Sequence, residues 1–324
     1  MSFLSRFFSK ASRWFGRSSA HERPGASPVS AYPSVFSSEP QPRRRHVVCA
    51  HPGGLHRMAY YEWGDPGNPR VLLCVHGLTR NARDFDVLAL ALANEYRVVC
   101  PDIIGRGASD WMKNPHCYSF PQYVSDMVTL CARLDAERLD WVGTSMGGLI
   151  GMMIAGDELS PISRLVLNDV GPFLSAEVLQ QMSQYFFREW RFASYAEADA
   201  HLRRIHASFG PLNDAEWGYL ARNSIRQAAD GSWEFNYDPK IGKAFQIMYL
   251  TPLPLDLWAL YDRVRCPTLA IRGAESELLS RATHREMGER GPRAKLAQIP
   301  GDGHAPTFFR PPEIRILREF LAGE

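Results

Sequence analysis

The chain has no CxxC pair and no Cys/His spacing of the kind that holds a metal. Its six cysteines, Cys49, Cys74, Cys100, Cys117, Cys131 and Cys266, stand singly. Cys74, Cys100 and Cys266 lie in or beside apolar, strand-like runs, the pattern of free buried thiols in a reducing compartment rather than of a disulfide framework. Neither a metal nor a cofactor is expected. No apolar run approaches the roughly 18–20 residues that span a bilayer. A strong charge is also missing: 37 basic against 35 acidic residues leave a net +2, which gives no global electrostatic case for nucleic acid. No internal repeat is visible. What is present is an ordinary globular composition, 45% hydrophobic and 22% charged. The default expectation is a cytoplasmic enzyme or binding protein that acts on a small molecule.

Residues 1–44 read as an N-terminal extension. MSFLSRFFSKASRWFGR contains no acid, and Arg6, Lys10, Arg13 and Arg17 fall on one arc of a helix beside a face of Phe3, Leu4, Phe7, Ala11, Trp14 and Phe15. Three readings stay open for residues 1–17: an amphipathic helix able to lie on an anionic membrane or other apolar surface, an organelle transit peptide, or a basic tail. A continuous apolar core of the secretory type is absent. SSAHERPGASPVSAYPSVFSSEPQP then reads as a Ser/Pro linker.

From residue 45 short apolar runs alternate with helical patterns. RVLLCVHG, YRVVCPD, LDWVGTS, SRLVLNDVG, CPTLAIRG and AKLAQIP are strands; NARDFDVLALALANE, PQYVSDMVTLCARL, MGGLIGMMIAG, SRATHREMGE and PPEIRILREFLA are helices. Such alternation specifies a mostly parallel sheet covered on both faces. It assigns 45–171 and 262–324 to one α/β core. Between them, 172–261 breaks the rhythm; it is dense in aromatic residues and predominantly helical, a cap or lid over the core.

In an open parallel sheet ligands sit beyond the carboxyl ends of the strands, and the chemistry-bearing residues cluster there. Ser145, in GTSMG between a strand and a helix, sits in the context a nucleophile elbow requires. A serine hydroxyl needs a base. Of ten histidines, His304 in IPGDGHAPTFF best fits that role, since it follows the last strand and precedes the last helix. The third member orients the imidazole. The loop AESELLS offers Glu275 and Glu277; Glu277 is favoured, with Asp169 in LVLNDVG as the alternative acid. An oxyanion hole is expected from the backbone N–H groups of Met146, after the nucleophile, and Leu78, after the HG turn.

HG at 76–77, PDIIGRGASD at 101–110, GTSMGG at 143–148, the RGAESELL loop and the terminal GDGHAP, in this order, resemble a cap-bearing α/β-hydrolase over about residues 45–324. The resemblance implies an eight-stranded, doubly wound sheet with a helical cap inserted after the sixth strand. It also implies acyl-enzyme chemistry in which Ser145 attacks, His304 shuttles the proton and water releases the acid. One departure is Glu277, where the family more often shows Asp. Asp102, Gly105, Arg106, Gly107 and Ser109 match the family's turn after its fourth strand and read as structural. The expected activity is that of a carboxylesterase on a small, apolar acyl substrate. A carbon–carbon bond hydrolase acting beside a ketone, a thioesterase or lactonase, and a non-catalytic binding relative are the alternatives.

Overall fold

The computed structural model describes residues 42–186, 189–248 and 253–323. The basic N-terminal segment and most of the Ser/Pro stretch lie outside those residues, as does the cap residue Phe187. The described chain opens with a hairpin, β1 (Arg43–His51) and β2 (Gly54–Trp63). Next come β3 (Val71–Val75), α1 (Asp86–Leu92), β4 (Arg97–Pro101) and α2 (Phe120–Leu134). They are followed by β5 (Leu139–Thr144), α3 (Met146–Ala155) and β6 (Ile162–Asn168).

The insertion then runs through β7 (Phe173–Leu174), α4 (Ala176–Phe186), α5 (Tyr195–Ile205) and α6 (Asp214–Ser224). It continues with β8 (Ile225–Gln227), β9 (Trp233–Phe235), α7 (Lys240–Met248), β10 (Leu255–Asp256) and α8 (Trp258–Tyr261). The core resumes with β11 (Thr268–Gly273), α9 (Arg281–Met287), β12 (Lys295–Ile299) and α10 (Pro311–Ala322).

Eight strands form one sheet in the order β1-β2-β4-β3-β5-β6-β11-β12. β2 runs antiparallel to both neighbours, and every other pair except β1–β2 and β2–β4 is parallel. This is the mostly parallel α/β sheet that the alternation predicts. Its strands are continuous apolar runs because both faces are covered. In β3, Val71, Leu73 and Val75 join one hydrophobic cluster, whereas Leu72 and Cys74 join the other. The period of two thus delivers side chains to two separate cores. The six cysteines are free thiols, five of them buried.

The sheet begins at Arg43, where the buried Glu62 pairs with an arginine of the hairpin: Arg45 Nε donates to Glu62 Oε2 at 3.0 Å. Such cross-strand pairing is invisible in composition. The insertion also holds two small ribbons, β7 with β10 and β8 with β9, among its helices. It is strapped to the loops above the sheet: Gly107 N–H donates to Asn236 O, Asp238 N–H to Gly105 O, and Gly303 N–H to Ser208 O. Among the described residues no helix is long and apolar enough to cross a membrane.

Candidate active site

The carboxyl ends of β3, β5, β6 and β11 stand side by side, and the loops leaving them meet at Ser145. The elbow there is made by backbone packing. Ser145 has φ +52°, in the left-handed region that a non-glycine residue adopts at a cost. The turn is tight enough that a Cβ on Gly147 would lie 2.0 Å from the Val75 carbonyl oxygen, and one on Gly143 would lie 2.4 Å from the Gly147 carbonyl carbon. Only glycine fits either position. The turn is anchored on the neighbouring strand, since Ser145 N–H donates to Asn168 O at 3.0 Å. Met146 then opens α3, where the first N–H groups of a helix have no intrahelical acceptor.

Ser145 Oγ lies 3.1 Å from His304 Nε2, and His304 Nδ1 lies 2.7 Å from Asp169 Oδ2. Three remote segments therefore converge in a hydroxyl–imidazole–carboxylate line. The carboxylate in that line is Asp169, the alternative acid. Glu277, the favoured one, is an exposed residue and does not occupy the position behind the ring. The physical reason lies in how the two loops fold. Asp169 leaves β6 in a left-handed turn, φ +53°, that aims its carboxylate across the end of β11, where Oδ1 accepts from Gly273 N–H at 2.8 Å. The loop after β11 is meanwhile drawn tight by Arg272, which is 4% exposed and donates to the carbonyls of Leu279, Ala274 and Ser276. That loop contributes a hydroxyl rather than a carboxylate: Ser276 Oγ donates to Asp169 Oδ2 at 2.6 Å. Asp169 is fully buried, and three donors satisfy it.

Several supporting residues escape sequence inspection. Asn168 Nδ2 bridges Thr144 Oγ1 at 3.0 Å and Pro306 O at 2.9 Å, tying the elbow strand to the histidine loop. Ser208, from the insertion, donates to His304 O at 2.9 Å. The adjacent Asn-Asp pair closing an apolar strand was the one local signal available for Asn168. Ser208 carried none.

On the oxyanion side, Leu78 and Met146 both line the cavity beside Ser145. They are held by Arg106, a residue read as structural that turns out to be fully buried among them. Its Nε donates to Leu78 O at 2.9 Å, its Nη1 to Ile104 O and to Tyr123 Oη, and its Nη2 reaches Met146 Sδ at 3.6 Å. Its guanidinium also lies over the Tyr123 ring, 5.0 Å from the centroid. The HG turn is fixed by His76, whose Nδ1–H donates to Gly77 O at 2.7 Å while Nε2 accepts from Ile103 N–H at 3.0 Å. Both ring nitrogens are committed to a neutral imidazole. Burial, reinforced by the Arg106 and Arg80 charges, pushes its pKa down to about 3.

Ser145 opens onto two chambers. One is apolar, with walls that include Leu149, Val170, Leu179, Ile241 and Leu255. The other holds His304 and also Arg80, Asp84, His206 and Thr307. Away from the site, Cys49, His56 and Asp126 bring donor atoms within 4.8 Å of one another. They are already bonded internally: His56 Nε2 pairs with Asp126 Oδ2 at 3.0 Å, and Gln122 Nε2 donates to Asp126 Oδ1 at 2.7 Å. Burial beside the Asp126 carboxylate pushes the Cys49 thiol up to about 12. The group behaves as a packed polar cluster under the first hairpin.

Comparison with known proteins assigns the family. The family model for the alpha/beta hydrolase fold matches residues 70–311. The chain belongs to that family and is a hydrolase. It is 47% identical over 290 residues, covering 87% of its own length and 98% of the relative's, to the 3-hydroxybutyrate-oligomer hydrolase of Cupriavidus necator. Among solved structures, an alpha/beta hydrolase from Novosphingobium aromaticivorans superposes with a TM-score of 0.75 at 35% identity, covering 87% of this chain and 98% of that one. A Rickettsia typhi protein superposes with a TM-score of 0.80 at 32% identity, covering 88% and 99%.

Proposed function

We propose that this chain is a serine esterase that cleaves short oligoesters of a 3-hydroxy acid through an acyl-enzyme. The observation that carries the reading is the two-sided contact of His304, with Ser145 Oγ on Nε2 and the buried Asp169 on Nδ1. The near full-length similarity to a 3-hydroxybutyrate-oligomer hydrolase supports the substrate class.

The steps follow from the geometry. Ser145 Oγ bonds to the ester carbonyl carbon while its proton passes to His304 Nε2, and Asp169 stabilises the imidazolium through Nδ1–H. The carbonyl oxygen, now an anion, is met by the N–H groups of Leu78 and Met146; each such donor contributes about 10²–10³ in rate. His304 returns the proton to the departing alkoxide, which leaves as the alcohol. Water then attacks the acyl carbon, giving its proton to His304, and the acid departs as Ser145 recovers its hydrogen.

The test is turnover of 3-hydroxybutyrate dimer and trimer beside p-nitrophenyl esters of graded chain length and one vinylogous diketone. Oligoester cleavage should dominate, and a serine-reactive phosphonate should label the wild type and leave Ser145→Ala unlabelled. Diketone cleavage without ester cleavage would overturn the esterase reading, as would labelling that survives the substitution.

A further inference from the structure

The two chambers at Ser145 are chemically unequal, and His304 faces only one of them. The proton that His304 returns goes to the oxygen of the departing alcohol. In the esterase reading, on which this inference rests, the leaving group therefore occupies the chamber that holds His304, and the acyl group fills the apolar one. In a chain of 3-hydroxy acids, the ester nearest the acid end has a leaving group whose free carboxylate lies two carbons beyond the carbon that bears the ester oxygen. The apolar chamber has no Lys, Arg or His in its walls among the described residues, and burying a carboxylate there without a partner is costly.

The His304 chamber differs. Arg80 is the one Lys or Arg in its wall among the described residues. It follows the HG turn closely, with its N–H bonded to Gly77 O, and a Cβ placed on Gly77 would lie 3.7 Å from Arg80 Cγ and 3.6 Å from Ser145 Cβ. The guanidinium is thus rooted beside the nucleophile. It is 6% exposed, and Asp84 holds it in place through Nε at 2.8 Å and Nη2 at 2.6 Å. A guanidinium carries five N–H donors in a planar fork, so Asp84 uses one edge. Nη1 makes no hydrogen bond among the described residues, which leaves the other edge, Nη1 with the outer N–H of Nη2, for a second carboxylate. The guanidinium also lies over the Phe209 ring, 5.6 Å from the centroid, a contact to its face that uses neither edge. The same chamber is lined by Thr307, whose hydroxyl has no hydrogen-bond partner among the described residues, and by His206, which burial and the neighbouring Arg80 charge keep neutral. No second cation competes for the anion.

We infer that Arg80, set by Asp84 in the wall of the His304 chamber, is a carboxylate-binding subsite that reads the acid end of the leaving group. The enzyme would therefore cut the ester next to the free acid terminus.

The experiment compares 3-butyryloxybutyrate with its methyl ester, following butyrate release, with each preparation normalised by phosphonate titration of Ser145. Wild type should favour the free acid. Arg80→Gln should lower the acid-to-methyl-ester ratio of kcat/KM by about 10- to 100-fold, the usual cost of losing a hydrogen bond to a charged group. Arg80→Lys should fall between. Equal wild-type rates on both forms, or a ratio that neither Arg80 variant moves, would overturn the subsite while leaving the esterase reading intact. Turnover of p-nitrophenyl butyrate with no release from either form would overturn the oligoester reading and the subsite together.

Discussion

The two halves of the relay are built by different means. The half at the ends of β3 and β5 is largely backbone: Gly143 and Gly147 leave no room for side chains, so the turn itself dictates where Ser145 stands. The half at the ends of β6 and β11 is assembled from side chains that are distant in sequence, with Asp169, Ser276, Arg272 and His304 each placed by a neighbour. A site made by backbone constraint can be read locally. One made by mutual support among side chains needs the fold.

The largest effect should come from testing which carboxylate serves His304. Asp169→Asn should lower kcat by roughly 10³–10⁴-fold, because an amide whose oxygen accepts from Gly273 N–H turns its NH2 to Nδ1, favours the wrong imidazole tautomer and carries no charge to stabilise the imidazolium. Glu277→Gln, by contrast, should change kcat less than about twofold, as expected for an exposed residue outside the hydroxyl–imidazole–carboxylate line. Steady-state kinetics on p-nitrophenyl butyrate decides it. A large loss in Glu277→Gln with Asp169→Asn near wild type would restore the assignment favoured from sequence.

That contrast also explains what was legible in the sequence. The sheet and its mostly parallel order follow from periodicity, and the proposed nucleophile Ser145 from a motif that lies on one strand–turn–helix unit. The acid did not, since β6 and β11 are neighbours in the sheet and either strand end can reach the same imidazole. Sequence placed the two candidates 108 residues apart; only the left-handed turn at Asp169 and the Arg272-bound loop decide between them. The structural reading of Arg106 fits its burial; what no one-dimensional pattern reports is the set of partners its guanidinium reaches, Leu78 O, Ile104 O, Tyr123 Oη and Met146 Sδ.

A smaller effect should come from loosening the backbone half through that guanidinium. Arg106→Leu leaves Leu78 O without its donor and frees Met146, so the oxyanion donors lose their support while the relay is untouched. We expect kcat to fall about 10- to 100-fold with KM little changed, because the donors act chiefly in the transition state. Arg106→Lys should recover part of the loss by keeping one donor toward Leu78 O. Rates are taken per phosphonate-titrated site. A rise in KM with kcat preserved would mean that Arg106 shapes the pocket and does not set the donors.

The smallest effect is on stability and comes from His76, the other anchor of the backbone half. Its pKa is near the ordinary 6.5 in an unfolded chain and is pushed down to about 3 by burial in the fold. Between those values the unfolded chain binds a proton that the folded chain does not, so stability is full above about 6.5 and is lost as pH falls toward 3. His76→Gln removes the titrating group and can keep only part of its hydrogen bonding. At neutral pH it should cost about 1–3 kcal/mol, the penalty of a poorly satisfied buried polar group. The gap in unfolding free energy between wild type and variant should then narrow as the pH is lowered through that window, because only wild type loses this contribution. Denaturant melts at a series of pH values measure it. A gap that stays constant from pH 7 to pH 4 would mean that His76 is not held neutral, and that the HG turn owes its geometry to Ile103 and Arg106 instead.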